Sequence, residues 1–292
     1  MKTTTLALAL LFTLGVAAQN PNRKQTEDNL HGPGSQPFDG FRVIGNIYYV
    51  GAVSISSYII TTPDGLIMLD TGTEQMAPVV ANNVEKLGFH LKDVKILLNS
   101  HAHFDHVEGH AAMKALTGAK VMAMAEDVDA LERGVDTSTG GYVGWKPVKV
   151  DRVLKDGDTV AFGGMTLQAH HTPGHTKGAT AWTTTVQDAG KPLRVVFLGG
   201  TGVNAGTKLL GNTVHPTIVT DFAKTFRVLK TLNAEVFLAP HANQFGLVDK
   251  LKRLKAGESP NPFIDPEGYK RFVDQEEGKY LTLLHGEQVA RQ

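Results

Sequence analysis

The chain has 292 residues, enough for one large domain or two fused halves. Lysine and arginine total 29 against 29 aspartates and glutamates, so no basic field points to a nucleic-acid partner. Cysteine is absent, which removes disulfides, thiolate ligands, thiolate nucleophiles and a lipid anchor on an N-terminal Cys. Any metal site must therefore be built from nitrogen and oxygen donors.

Met1-Lys2, an apolar run over 6–12 and the small residues Val16-Ala17-Ala18 read as a secretory signal peptide cleaved after Ala18. The run is short for a membrane span. The reading implies a periplasmic or secreted protein with no membrane attachment after cleavage. Residues 19–40 are expected to form a loose polar arm, and 41–292 the folded domain.

The domain opens with hairpin-like strands at 47–50, 57–62 and 66–69, with Pro63-Asp64-Gly65 as turn chemistry between the last two. Apolar periodicity predicts a helix over 76–87, a buried strand at 94–98, a helix over 107–116, a strand at 120–124 and a helix over 125–133. A glycine-rich segment, 134–145, carries Tyr142 and Trp145, which either pack on their own scaffold or cover a cleft. The second half predicts strands at 148–153, 159–162, 166–169, 180–185, 195–198 and 235–238, and a helix over 216–232. Asp265-Pro266-Glu267 starts a final helix, with a cap, proline at the first position and an acid in the first turn. Each half is β-rich with helices outside, and no glycine phosphate-binding fingerprint follows the first strand. A four-layer αβ/βα sandwich fits better than a doubly wound sheet.

Between the strand at 94–98 and the helix after it lies His101-Ala102-His103-Phe104-Asp105-His106, three imidazoles and a carboxylate in six residues. Both are good ligands for zinc and similar divalent ions. In an extended loop, residues i and i+2 point the same way, so His101 and His103 can reach one ion together. Asp105 and His106 follow where the chain turns into a helix and can serve a second.

Together with Leu69-Asp70-Thr71-Gly72, Thr172-Pro173-Gly174-His175-Thr176 and Ala239-Pro240-His241, this motif resembles the metallo-β-lactamase superfamily over nearly the whole chain after residue 18. It looks most like the third subclass of class B β-lactamases, which has no cysteine in its second zinc site. The resemblance implies two zinc ions per chain: His101, His103 and His175 on the first, Asp105, His106 and His241 on the second. It implies catalytic roles for Asp105 and His175, and Asp70 as the carboxylate that fixes the metal loop. Glyoxalase II enzymes and many lactonases carry a bridging Asp after the strand that here runs into Gly199-Gly200-Thr201, and this chain lacks it. The subclass often has serines at this turn, where Thr201 and Val203 stand. Recognition of a substrate carboxylate then falls to Thr201, Asn204, Thr207, Lys208 or backbone N–H groups.

The implied activity is hydrolysis of the β-lactam ring of penicillins, cephalosporins and carbapenems by zinc-activated water in a monomer, conferring antibiotic resistance. An exported dizinc hydrolase of another ester, lactone or thioester is the alternative, and a non-enzymatic metal-binding protein the weakest reading. Of the other histidines, His110 is expected behind the metal loop or at the surface, and His170 and His171 in core or hydrogen-bonding roles. His215 is expected exposed near the cleft. His31, His90 and His285 show no ligand context.

Overall fold

The computed structural model describes residues 28–138 and 144–292. The signal-peptide reading and Tyr142 lie outside the described residues. Two sheets form the centre. One has seven strands in the order β1 (Phe41–Ile44), β2 (Ile47–Tyr49), β3 (Tyr58–Thr62), β4 (Gly65–Leu69), β5 (Val94–Leu98), β6 (Lys120–Met124) and β7 (Arg152–Leu154). The other has five: β12 (Val236–Leu238), β11 (Lys191–Phe197), β10 (Thr180–Asp188), β9 (Met165–His171) and β8 (Thr159–Phe162).

Alternation explains the layering. On β4, Ile67 and Leu69 join the core shared with the second sheet, whereas Leu66 and Met68 join the cluster under the outer helices. On β5, Ile96 and Leu98 face the first core and Leu97 the second, which Val94 also joins where the register against β4 shifts. Strands buried on both faces read as continuous apolar runs. Helices Ala77–Lys86 and His110–Thr117 cover the first sheet, and Ile218–Thr231 and Pro266–Val289 cover the second through Phe222, Phe226, Tyr269 and Val273. The result is the expected αβ/βα sandwich.

Three elements differ from the sequence reading. The helix expected over 107–116 is two, Phe104–Val107 and His110–Thr117. They break where Gly109 N donates to Gly72 O, an approach so close that a Cβ there would lie 2.8 Å from Thr71 O. The strand expected at 148–153 in the second half pairs only as Arg152–Leu154, and in the first sheet beside β6. Val148 and Val150 alternate inward like strand residues, but their N–H groups bond Leu131 O and Glu132 Oε1 of a helix rather than a ladder. Helix Leu247–Lys255 was not anticipated, although Leu247, Leu251 and Leu254 carry its period.

From Asp28 on, the polar arm packs against the domain. Ser35 is buried and its Oγ meets Thr73 Oγ1 at 2.9 Å. Among the described residues, no helix is long and apolar enough to cross a membrane.

Candidate metal centre

The parallel run β4-β5-β6 brings three chain turns to one edge: Asp70 after β4, His101 after β5 and Asp127 after β6. The second sheet delivers His175 after β9, Thr201 after β11 and His241 after β12. Ligand loops at the carboxyl ends of strands are the common arrangement in α/β proteins. His241 is tied to the first sheet by backbone bonds from Ser56 N to Pro240 O and Ala242 N to Ser54 O, each 2.9 Å, and by Tyr58 Oη to Ala239 O, 2.8 Å.

Six side chains converge in two groups: His101, His103 and His175, and Asp105, His106 and His241. Within each, one donor atom per residue lies within 4.8 Å of the others. The groups adjoin, since His101 and His106 have ring centroids 4.2 Å apart. This is the partition that the resemblance implied.

Hydrogen bonds fix which nitrogens face inward. Ser100 Oγ donates to Asp70 Oδ2 (2.6 Å), while Ser100 N donates to Asp70 Oδ1 (2.7 Å). With its proton committed, Ser100 Oγ accepts from His101 Nδ1 at 3.0 Å, which leaves the Nε2 lone pair of His101 free. Asp70 Oδ2 also lies 3.5 Å from His106 Nδ1. His175 Nδ1 donates to Gly202 O at 2.5 Å. His103 Nε2 lies 3.2 Å from Ser138 Oγ and 3.7 Å from Asp136 Oδ2, which turns its Nδ1 toward the group. Behind the loop His110 is buried, with Nδ1 2.7 Å from Thr71 Oγ1.

Burial sets the charges. It pulls the His101 imidazole well below the usual histidine range, helped by His106 and His175. Burial, then His103, lowers His175 to about 3, and burial lowers His241 to about 4 against the opposing pull of Asp105. For His106 burial acts downward too, but Asp105, with Oδ2 3.1 Å from Nε2, and Asp70 more than offset it and raise the pKa to about 10. Burial pushes Asp105 up, but His106 and His241 outweigh it and hold the carboxyl well below the usual carboxylate range.

The donor set fits a divalent cation. His101 Nε2 is buried with no hydrogen-bond partner, a costly state for a polar atom that a coordinated ion would relieve. Histidine and carboxylate donors without sulfur suit zinc. A cleft of about 210 Å³ opens on both groups, walled by Leu30, Phe104, Asp136, Asn204 and Ala205.

The four residues expected to recognise substrate separate. Asn204 lines the cleft. Thr207 lines a smaller recess beside His175, together with Asn204 and His215. Thr201 is buried and its Oγ1 has no hydrogen-bond partner, because the turn directs it inward. Lys208 is exposed and lines neither space. His215 is buried rather than exposed, with Nε2 2.7 Å from Asp221 Oδ2 in the next helix. Trp145 is buried in the outer-helix cluster, so it serves the scaffold. His170 and His171 bond Thr183 Oγ1 and Lys177 O, both at 2.7 Å. His31 is no member of either group, yet it stacks on Phe104 at 4.5 Å and reaches Glu108 at 3.2 Å.

Asp127, Asp136, Ser138 and Leu30 escaped the sequence reading. A signal existed for Asp127, an acid directly after the third parallel strand of the edge that carries Asp70 and His101.

A family model described as the metallo-β-lactamase superfamily matches residues 50–241. The chain belongs to that superfamily, a class of hydrolases built on this sandwich. Among solved structures it is similar to the FEZ-1 metallo-β-lactamase from Legionella gormanii, at 40% identity and TM-score 0.83, over 87% of this chain and 98% of that one. It is likewise similar to BJP-1, a subclass B3 metallo-β-lactamase of Bradyrhizobium japonicum, at 37% identity and TM-score 0.83, over 88% and 98%. The curated relatives it matches are different in kind. A probable metallo-hydrolase of Burkholderia pseudomallei is 31% identical over 37% of this chain and 38% of its own length. A hydroxyacylglutathione hydrolase of Pseudomonas aeruginosa is 34% identical over 38% and 34%. The chain therefore spans only about a third of the length of these curated relatives.

Proposed function

We propose that the protein is a dizinc metallo-β-lactamase that opens the β-lactam ring of penicillins, cephalosporins and carbapenems and so confers antibiotic resistance. The observation that carries the reading is the pair of cysteine-free donor groups, His101/His103/His175 and Asp105/His106/His241, opening on one cleft. The two-sheet likeness to FEZ-1 and BJP-1 over nearly their full lengths supports it.

Zinc bound by these residues would polarise a carbonyl oxygen and lower the pKa of water from about 15.7 to about 7. The chain's own groups do the rest. His101, His103 and His175 face the cleft with their other nitrogens committed to Ser100, Ser138 and Gly202. Asp105, kept ionised by His106 and His241, can hold the proton of the attacking water at its carboxylate. Asn204 stands across the cleft where a substrate carboxylate could be met by its amide. Phe104 and Leu30 give an apolar wall that excludes water from one side. No protein nucleophile is needed, so no acyl-enzyme forms.

Residues 1–18 act, in this reading, as a signal for export, and the mature monomer works in the periplasm or outside the cell. The curated hydroxyacylglutathione hydrolase relatives favour thioester hydrolysis as the second reading. The turn Gly199-Gly200-Thr201, which offers no acid between the two groups, weighs against it. Comparing kcat/KM for a carbapenem, a cephalosporin, an S-acylglutathione and a lactone decides between them. β-Lactams should lead; a thioester or lactone leading with β-lactams inert would overturn the proposal.

A further inference from the structure

The first donor group is split between two sheets. His101 and His103 stand on the loop after β5, and His175 on the loop after β9. No ligand spacing in the chain can fix the gap between them; the packing of the two loops must.

Asp127 lies between those loops. Its Oδ2 accepts from Ala102 N at 2.9 Å, the amide between the two histidines, and from Asn99 Nδ2 at 3.3 Å. Its Oδ1 accepts from Gly178 N at 3.0 Å, three residues beyond His175. One carboxylate thus grips both halves of the group. Gly178 shows how close the grip is, since a Cβ there would fall 2.5 Å from Asp127 Cγ.

The ordinary explanation for an aspartate at this position fails. Asp127 occupies the N-cap of helix Val128–Arg133, where its side chain would normally accept from the first turn. It makes no such bond. The carboxylate is fully buried, and burial raises its pKa to about 7 even against the opposing pull of Thr176, Gly178 and Ala102. The fold therefore tolerates a buried acid here that neither caps its own helix nor lines the cleft.

We propose that Asp127 is a positioning residue for the first metal group: it sets the separation of His101 and His103 from His175 and thereby the affinity of that site. Other bonds join the same loops at their base, Thr180 N to Ser100 O (2.8 Å) and Trp182 Nε1 to Asn99 O (3.0 Å), so the fold does not depend on Asp127 alone. The inference rests on the metal-centre reading above.

The test is stepwise Co(II) and Zn(II) titration of the full protein against a chromophoric chelator, for wild type, Asp127→Asn and Gly178→Ala. An asparagine turns an N–H toward Ala102 N or Gly178 N; the alanine leaves the charge but wedges the loops apart. Each should weaken the first site about 10–100-fold, the usual cost of losing a group that orients a ligand. The Co(II) spectrum of the three-histidine site should change while that of the Asp105/His106/His241 site stays. Combined, the two substitutions should cost no more than either alone. Wild-type affinity in Asp127→Asn overturns the inference. So does equal loss at both sites together with a lowered Tm of the metal-free variant, which marks a merely structural role. A wild-type protein that takes up neither metal overturns the metal centre itself, and this inference with it.

Discussion

Gly200 lies so close against the His175 ring that a Cβ built on it would fall 2.0 Å from Cδ2. The glycine is required by contact and not by conformation, since it is not among the residues with positive φ. The same turn supplies Gly202 O, which accepts from His175 Nδ1. The turn after β11 therefore both packs the ring and sets its tautomer.

Gly200→Ala should displace His175 and spare the fold, because β11 already ends at Phe197. Zinc bound per chain, measured after dialysis, should fall from two toward one with an unchanged circular dichroism spectrum. Two zinc ions at wild-type affinity would show that the ring is free to move aside.

Asp70 acts on His101 through Ser100, over bonds of 2.6 and 3.0 Å. Ser100→Ala removes the acceptor that holds the Nδ1 proton and should cost about 10–100-fold in zinc affinity. Asp70→Asn should cost at least as much, since it also withdraws the carboxylate beside His106. Chelator competition measures both. If Ser100→Ala binds like wild type, the relay has no role in holding the metal.

His106 carries the raised pKa of the centre, about 10, while His175 and His241 lie near 3 and 4. In the metal-free protein at pH 7.5, His106 is protonated and the other two are neutral. A ligand must be neutral, so metal entering the second group displaces about one proton. The sign follows: affinity for that ion should rise with pH, about tenfold per unit, and level off near pH 10. Calorimetry of zinc binding in buffers of differing ionisation enthalpy should report that proton for the second ion. Equal buffer dependence for both ions would contradict the assignment.

The four residues expected to meet substrate should no longer behave alike. Asn204→Ala should raise KM for β-lactams roughly tenfold, the worth of one hydrogen bond to a charged group at about 1.5 kcal/mol. Lys208→Ala should change neither KM nor kcat, because that side chain is exposed and does not line the cleft. A large KM effect at Lys208 would mean that the loop closes over substrate.

The ligands were legible because their chemistry is local. His101, His103, Asp105 and His106 fall within six consecutive residues, and the contexts of His175 and His241 are short motifs. The strands were legible where a run is buried on both faces, as at Val94–Leu98. What stayed hidden depends on partners far along the chain. Asp127 reaches Ala102 across 25 residues and Gly178 across 51, and neither distance leaves a periodic trace. His215 looked exposed beside Pro216, yet Asp221, in the first turn of the next helix, draws it inside. The segment 148–150 has the alternation of a strand but no strand to pair with, a distinction that only the fold supplies.

Whether two zinc ions open a β-lactam here is decided by carbapenem hydrolysis with the protein lacking residues 1–18, before chelation, after chelation and after zinc is returned. Turnover that disappears with the metal and recovers with two equivalents of zinc is the predicted result. A folded protein holding two zinc ions that leaves the carbapenem intact would contradict it.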